Sequence, residues 1–307
     1  MDETVIIVFG GNSWEREGSI ISAAAVARSL DRLGISNRLV EFPLETYVLL
    51  RSYKKPIVFN CIHGKNGEDG TLSMLCDMNP IPYNFSRPFA HLLGYNKLRF
   101  KSLAHTMGIR TPSVLDKMEV LSSKYPLPIE EKSNGKKYIL KPNFGGGSLG
   151  VQILSTNDNL ETVINCRERK FDPFIIEEFI DGKFITCALT GDADRDSSLP
   201  LLEASFKGDF FDYVSKHDET KRQYILPAKI SNKCEKEIRE ISYRMFSAMG
   251  CDPIVRFDFI VDNNEVPFLL EANTVPGLAE AGNLATIWKS SGRSYDELIE
   301  YLFKSSR

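Results

Sequence analysis

The 307-residue chain has no Cys-x-x-Cys pair, no internal repeat and no low-complexity stretch. Its six cysteines (Cys61, Cys76, Cys166, Cys187, Cys234 and Cys251) are scattered. Such spacing excludes a disulfide framework and a structural zinc site, and reads as buried free thiols. No apolar run approaches the roughly 20 residues that span a bilayer. The opening Met1-Asp2-Glu3-Thr4 is acidic where a secretory leader is basic, and Val5 to Phe9 is too short for a leader's apolar core. A cytoplasmic protein without a membrane partner is therefore expected. Charge of one sign is also lacking: 38 basic against 41 acidic residues leave a net charge of -3. The basic surface that a phosphate backbone requires is missing, so nucleic acid is not an expected partner.

What the chain does have is ordinary globular material, 42% hydrophobic and 26% charged. Val5 to Phe9 is a β-branched run ending at Gly10-Gly11, the pattern of a buried parallel strand feeding a turn. Ser19 to Leu33 reads as a helix stopped by Gly34, and Pro56 to Ile62 as a second strand ending in a glycine-bearing loop. Strand, loop, helix, strand predicts an α/β unit, whose ligands gather at the carboxyl ends of its strands. Further on, Lys97 to Met107 reads as a helix. Lys137 to Lys141, Val151 to Leu154 and Phe174 to Ile180 read as strands, as do Ile185 to Leu189, Ile254 to Val261 and Val266 to Leu270. A helix is expected from about Lys233 to Met249. The working organisation is three α/β sections, 1–95, 96–183 and 184–307.

Three constellations carry chemistry. In the first, strand alternation puts Arg256 and Asp258 on one face, and Glu271 and Asn273 on one face of the strand that follows. Two carboxylates and an amide oxygen beside a guanidinium suit Mg²⁺ and a transferring phosphoryl group. A surface salt bridge has the same spacing. The second is Lys141-Pro142-Asn143-Phe144 followed by Gly145, Gly146, Gly147, Ser148, Leu149 and Gly150. Its glycines can bring backbone N–H groups close to an anion, or simply form a flexible hairpin. Lys97, Lys141 and Lys216 could supply positive charge to a triphosphate. The segment from Glu177 to Ile180 could face an adenine edge. The third is His63 through Gly70, a substrate loop or a solvated turn in which Asp69 caps a helix near Thr71.

Taken in order, these segments resemble the ATP-grasp superfamily and, within it, the D-alanine–D-alanine ligase family. The matching stretches are Phe9 to Glu17, His63 to Gly70, Lys97, Lys141-Pro142, Ser148 to Gly150, Glu177 to Gly182, Phe211 to Lys216, Arg256 to Phe259 and Glu271 to Gly277. The resemblance implies an α/β three-domain ATP-grasp fold with ATP as cosubstrate. By the resemblance, Lys97 and Lys141 contact phosphates, with Gly147 and Ser148 in the loop above them. Lys216 closes over the phosphates, and Glu177 and Ile180 contact adenine. Asp258, Glu271 and Asn273 bind two Mg²⁺ ions, or Mn²⁺ in their place. Arg256 and the Gly277 N–H form the oxyanion site, Glu15 holds the amino group of the first substrate, and His63 lies near its carboxylate. The implied reaction passes through an acyl phosphate, which an amine then attacks. Family members commonly form homodimers through the N-terminal domain, which is the basis for expecting one here.

Departures from the family pattern cluster on the substrate side. The family's serine and tyrosine partners of Glu15 fall at Gly147 and His217, the latter a histidine in members that form depsipeptides. The serine that grips the second substrate's carboxylate falls at Gly282, within Leu278 to Asn283. Glu280 adds a charge nearby, and the ribose-binding glutamate falls at Phe184. The expectation is an ATP-dependent carboxylate–amine ligase with an altered substrate, an amino acid or small amine acceptor of natural-product type such as the mycosporine-like amino acid pathway. The alternatives are an authentic D-alanine–D-alanine ligase of peptidoglycan synthesis and a non-catalytic nucleotide-binding regulator.

Overall fold

The computed structural model describes residues 4–43, 52, 55–115, 137–154, 173–192, 195–196, 198–206 and 222–306. Three sheets organise them. In the first, β1 (Thr4–Gly10) lies between β2 (Asn37–Phe42) and β3 (Pro56–Asn60), parallel to both. A central parallel strand is covered on both faces, which explains its unbroken apolar run. Val5 and Ile7 face a core shared with α1 (Arg16–Arg32), while Ile6 and Val8 face one shared with α2 (Thr71–Met78). Pro88 supplies the first turn of α3 (Pro88–Tyr95), a position where its missing N–H costs nothing. One residue later, Asn96 caps α4 (Lys97–Thr106) through its side chain, which accepts from the Arg99 N–H.

The second sheet is antiparallel, with β4 (Tyr138–Pro142) between β5 (Gln152–Leu154) and β6 (Phe174–Glu178). The third has the order β11-β10-β7-β8-β9, also antiparallel, from β7 (Gly182–Leu189), β8 (Leu202–Phe206), β9 (Arg222–Ile225), β10 (Val255–Asp262) and β11 (Pro267–Asn273). On β10, Val255, Phe257, Phe259 and Val261 point into a core with α5 (Asn232–Met249), α3 and α4. Alternation therefore sends Arg256, Asp258 and Ile260 to the opposite face. The chain ends in α6 (Asn283–Ser290) and α7 (Tyr295–Lys304), which close the core over α1 and the N-terminal sheet. None of the helices among the described residues is long and apolar enough to cross a membrane.

The predicted strands and helices are present with ends shifted by a few residues. Two differences matter. The strand expected to run to Ile180 stops at Glu178, which leaves 179–181 as a bend. The next strand begins at Gly182 instead of Ile185, which places Phe184 inside β7. Cys61, Cys76, Cys187, Cys234 and Cys251 are buried free thiols, and burial raises each of their pKa values; Cys166 lies outside the described residues.

Candidate functional site

A cavity of about 870 Å³ opens between the second and third sheets. Lys97, Lys141, Ser148, Glu177, Ile180 and Glu271 all line it, and so does Phe184. Size and lining suit a small-molecule ligand with a charged end. Pairing of Ile139 with Glu177 puts Lys141 and Glu177 on one face of their sheet, and they form a direct ion pair there. A second lysine, Lys101, meets the other carboxylate oxygen of Glu177 at 2.9 Å. All three side chains are buried or nearly so. Burial pushes the Glu177 carboxyl up, but Lys101 and Lys141 outweigh it and hold the carboxyl below its usual range. Burial lowers Lys101 to about 8, with Glu177 pulling the other way. Sequence reasoning missed Lys101, although it sits one helical turn from Lys97 and so shares its face.

Lys97 joins this wall to the other sheet. Its ammonium donates to the carbonyl of Gly145 and lies 3.6 Å from Glu271. The glycine loop is held in shape by left-handed backbone at Gly145, Gly147 and Ser148, the last an uncommon conformation for a residue with a side chain. Gly146 then donates its N–H to Glu15 Oε1 at 3.0 Å. A Cβ at Gly146 would stand 3.1 Å from Glu15 Oε2, so glycine permits this approach. Gly147, at the place of the family's serine, is not among the lining residues; the loop reaches Glu15 through its backbone one residue earlier.

Around Glu15 the loop from His63 to Gly70 folds back on itself. Gly67 is required there, because a Cβ would fall 2.1 Å from the Ile62 carbonyl. Asp69 accepts from the Thr71 N–H at 2.9 Å, but the N-cap of α2 is Gly70, which has no side-chain cap, so Asp69 braces the turn before the helix and is not its cap. His63 is buried, shares a 2.9 Å hydrogen bond with the Ser22 hydroxyl, and has Nδ1 3.8 Å from Glu68. Burial first and Glu68 second raise the Glu15 carboxyl to about 7, against the opposing pull of His63, the Gly146 N–H and Lys97. Ser22 also accepts from the Leu278 N–H at 3.2 Å, which ties helix α1 to the loop after Gly277.

The Arg256 constellation is a buried network. Cross-strand pairing sets Asp258 opposite Glu271 and Arg256 opposite Asn273. Arg256 binds Asp258 bidentately, through Nε at 3.0 Å and Nη2 at 2.9 Å. Thr186 donates to Asp258 Oδ1 at 2.9 Å, and Asn273 Nδ2 donates to Oδ2 at 3.0 Å. Asp258 is completely buried, which rules out the surface salt bridge. Asn273 turns its nitrogen toward Asp258 in place of the expected oxygen, because a carboxylate attracts the amide's donor end. Rotation of that amide would present its oxygen instead. Among the described residues, no three His, Cys, Asp or Glu side chains form a metal cluster by themselves. Two carboxylates and an amide still match the small protein share of a Mg²⁺ shell, which water and phosphate complete.

Past Gly277 the chain turns through a Gly282 N–H to Ala279 carbonyl bond of 2.9 Å, and Gly282 precedes α6. Gly282 carries no hydroxyl of its own; beside it the side chain of Asn283 accepts from the Tyr224 hydroxyl. Glu280 points away, toward Arg28 at 3.8 Å and Arg32 at 3.9 Å on the outer side of α1. Lys216 and His217 lie outside the described residues.

Comparison with known proteins agrees with this fold. The family model for the D-ala D-ala ligase C-terminus matches residues 113–304. A D-alanine–D-alanine ligase of Bordetella petrii is 30% identical over 95% of this chain and 88% of its own length. One from Buchnera aphidicola is 30% identical over the full length of both chains. Crystal structures of the D-alanine–D-alanine ligase from Bacillus anthracis, alone and complexed with ATP, superpose with TM-scores of 0.83 and 0.80 at 24% identity. They cover 99% of this chain and 97% and 96% of their own. These relatives favour the alternative of an authentic ligase over the expected change of substrate. The chain belongs to the D-alanine–D-alanine ligase family, ATP-dependent ligases that form C–N bonds on the ATP-grasp fold.

Proposed function

We propose that this chain joins two D-alanine molecules at the expense of ATP. The observation that carries the reading is the Glu15 carboxylate, held by the Gly146 N–H although the family's serine is absent. The link between the first-substrate glutamate and the glycine loop is thus kept by the backbone.

The carboxylate of the first D-alanine attacks the γ-phosphate, forming an acyl phosphate and ADP. The neutral amine of the second attacks the acyl carbon, and phosphate leaves as the peptide bond forms. Glu15 and His63 would hold the first substrate. Lys97 and Lys141 would offset the repulsion between carboxylate and phosphate. Glu177 and Ile180 would face adenine. Arg256, fixed in direction by Asp258, would face the tetrahedral oxyanion together with the Gly277 N–H. Asp258, Glu271 and Asn273 would hold Mg²⁺, whose charge supports phosphoryl transfer when bound. ATP as cosubstrate suits a cytoplasmic setting. Exposed Met74 and Met78 on α2, with Phe89 and Leu92 on α3, form an apolar face that fits a homodimer.

A second reading, an acceptor other than D-alanine, draws on Gly282 and Asn283, where an amide stands in place of a hydroxyl. Phosphate release from ATP with D-alanine alone, followed by mass spectrometry, separates the two. D-alanyl-D-alanine supports the first reading. Turnover only with another amine supports the second, and no phosphate release with any carboxylate and amine pair would sink both.

A further inference from the structure

We propose that Lys101 is a positioning residue for the nucleotide: it is the permanent counter-charge of Glu177, and so frees Lys141 to meet a phosphate. The inference rests on the reading of Lys141 as a phosphate ligand. Glu177 is 1% exposed and lies between two ammonium groups, one on each carboxylate oxygen. The two lysines differ in what surrounds them. Lys141 lines the cavity, whereas Lys101 is not among its lining residues; its partners among the described residues are Glu177 at 2.9 Å and the Pro112 carbonyl at 3.4 Å.

Charge accounting gives the consequence. Without nucleotide, the group of two lysines and one carboxylate carries one net positive charge. When Lys141 turns to a phosphate, Lys101 stays on Glu177 and that pair is neutral. Remove Lys101, and among the described residues Lys141 alone is left paired with the buried Glu177 carboxylate. Binding a phosphate would then strand Glu177 in a low-dielectric wall, where an unpaired charge is strongly disfavoured. Lys141 would stay where it is, and the nucleotide would lose its cation.

Helix α4 makes this arrangement possible. Its two buried lysines, four residues apart, face carboxylates on different sheets, Lys97 toward Glu271 on β11 and Lys101 toward Glu177 on β6. Lys101 therefore acts on the nucleotide without touching it.

The test is a double-mutant cycle on the full chain, read as steady-state KM for ATP, KM for D-alanine and kcat. In Lys101→Met, KM for ATP should rise roughly a hundredfold or more, the scale expected when a buried charge loses its partner. In the same variant, kcat at saturating ATP and KM for D-alanine should stay within about threefold, since Lys101 acts on nucleotide binding alone. In a Glu177→Gln background, Lys101→Met should change KM for ATP by less than about twofold, because there is no carboxylate left to strand. An equal loss in both backgrounds would mean that Lys101 only packs, and would overturn the proposal. Should K101M not fold, Lys101→Gln takes its place in the same cycle: a rise in KM for ATP that disappears in the Glu177→Gln background supports the proposal, and an equal rise in both backgrounds refutes it. Lys141→Met separates the two readings. If it leaves KM for ATP unchanged, the phosphate role of Lys141 fails. If it raises KM while the cycle shows no coupling, only the role of Lys101 fails.

Discussion

Glu15→Gln should make the protein more stable at pH 8 and nearly inactive. The carboxyl of Glu15 is raised from 4.5 to about 7, by burial and by Glu68. A raised carboxyl binds its proton more tightly in the folded chain than in the unfolded one, so its ionisation costs stability. That cost is absent below about pH 4.5, grows between 4.5 and 7, and is complete above. Fully expressed, a displacement from 4.5 to about 7 corresponds to about 3 kcal/mol. The side chain keeps some contact with solvent, which reduces the expected gain to about 1–2 kcal/mol. Glutamine retains the oxygen that accepts from Gly146, so the loop contact survives. Thermal unfolding at pH 5 and pH 8 provides the assay: E15Q should gain a few degrees over the parent at pH 8 and little at pH 5. In parallel, the parent's KM for its first amino-acid substrate should rise about tenfold per pH unit below 7, as the carboxylate protonates. E15Q should bind that substrate weakly with no such slope. Equal destabilisation of E15Q at both pH values would refute the reasoning, since Glu15 would then be a structural ligand of the glycine loop.

Three further outcomes are expected. Asp258→Asn leaves two of four converging donors without an acceptor, so urea unfolding should show a loss of about 3–5 kcal/mol; turnover should fall by at least about a hundredfold, as Arg256 loses its alignment. Ser22→Ala strips the buried Leu278 N–H of its acceptor and should cost about 1–3 kcal/mol, with a raised KM for amino acid and an unchanged KM for ATP. On the proposed homodimer, Met78→Glu places a charge among the exposed apolar side chains of α2 and α3, and should move the sedimentation coefficient from dimer to monomer while the circular dichroism spectrum stays the same.

The parts legible in the sequence are those in which a single strand declares both its faces. The run from Val5 to Phe9 states that it is covered twice, and the alternation from Val255 to Val261 states which side carries Arg256 and Asp258. Helix α7 is equally legible: Ser294 and Glu297 form a reciprocal capping box, a pattern visible in the residues alone. Pro88 at the start of α3 was a similar signal. Other features leave no such mark. The Gly146 to Glu15 bond belongs to the backbone, so substitution of the neighbouring serine position looks like a lost link when the link has moved by one residue. Lys101 reads as a solvated helix lysine until β6 brings Glu177 against it. Strands β8 and β9 flank residues outside the described set and lack a run long enough to announce themselves.

Those two illegible contacts point to a common principle in how the cavity stores charge. Two of its cations are already paired with acids before any polyanion arrives: Lys141 on Glu177, Lys97 beside Glu271. Pairing keeps each ammonium extended and ordered, so less reorganisation remains when phosphate arrives. But a lysine that leaves a buried acid must be replaced, and the two acids are treated differently. Glu177 has its replacement built into the fold as Lys101, while Glu271 stands opposite Asp258 on the strand pair that would hold Mg²⁺. On the proposed reading, the divalent cation that accompanies ATP would do for Glu271 what Lys101 does for Glu177. Binding of ATP should therefore depend on Mg²⁺ through Glu271 and on Lys101 through Glu177, and the two dependences should be independent. Glu271→Gln should weaken the metal dependence of ATP affinity, measured by calorimetry with and without chelator, and leave the K101M effect intact. Loss of both dependences on changing Glu271 alone would show that the two sheets share one charge network, and that the separation drawn from their geometry is wrong.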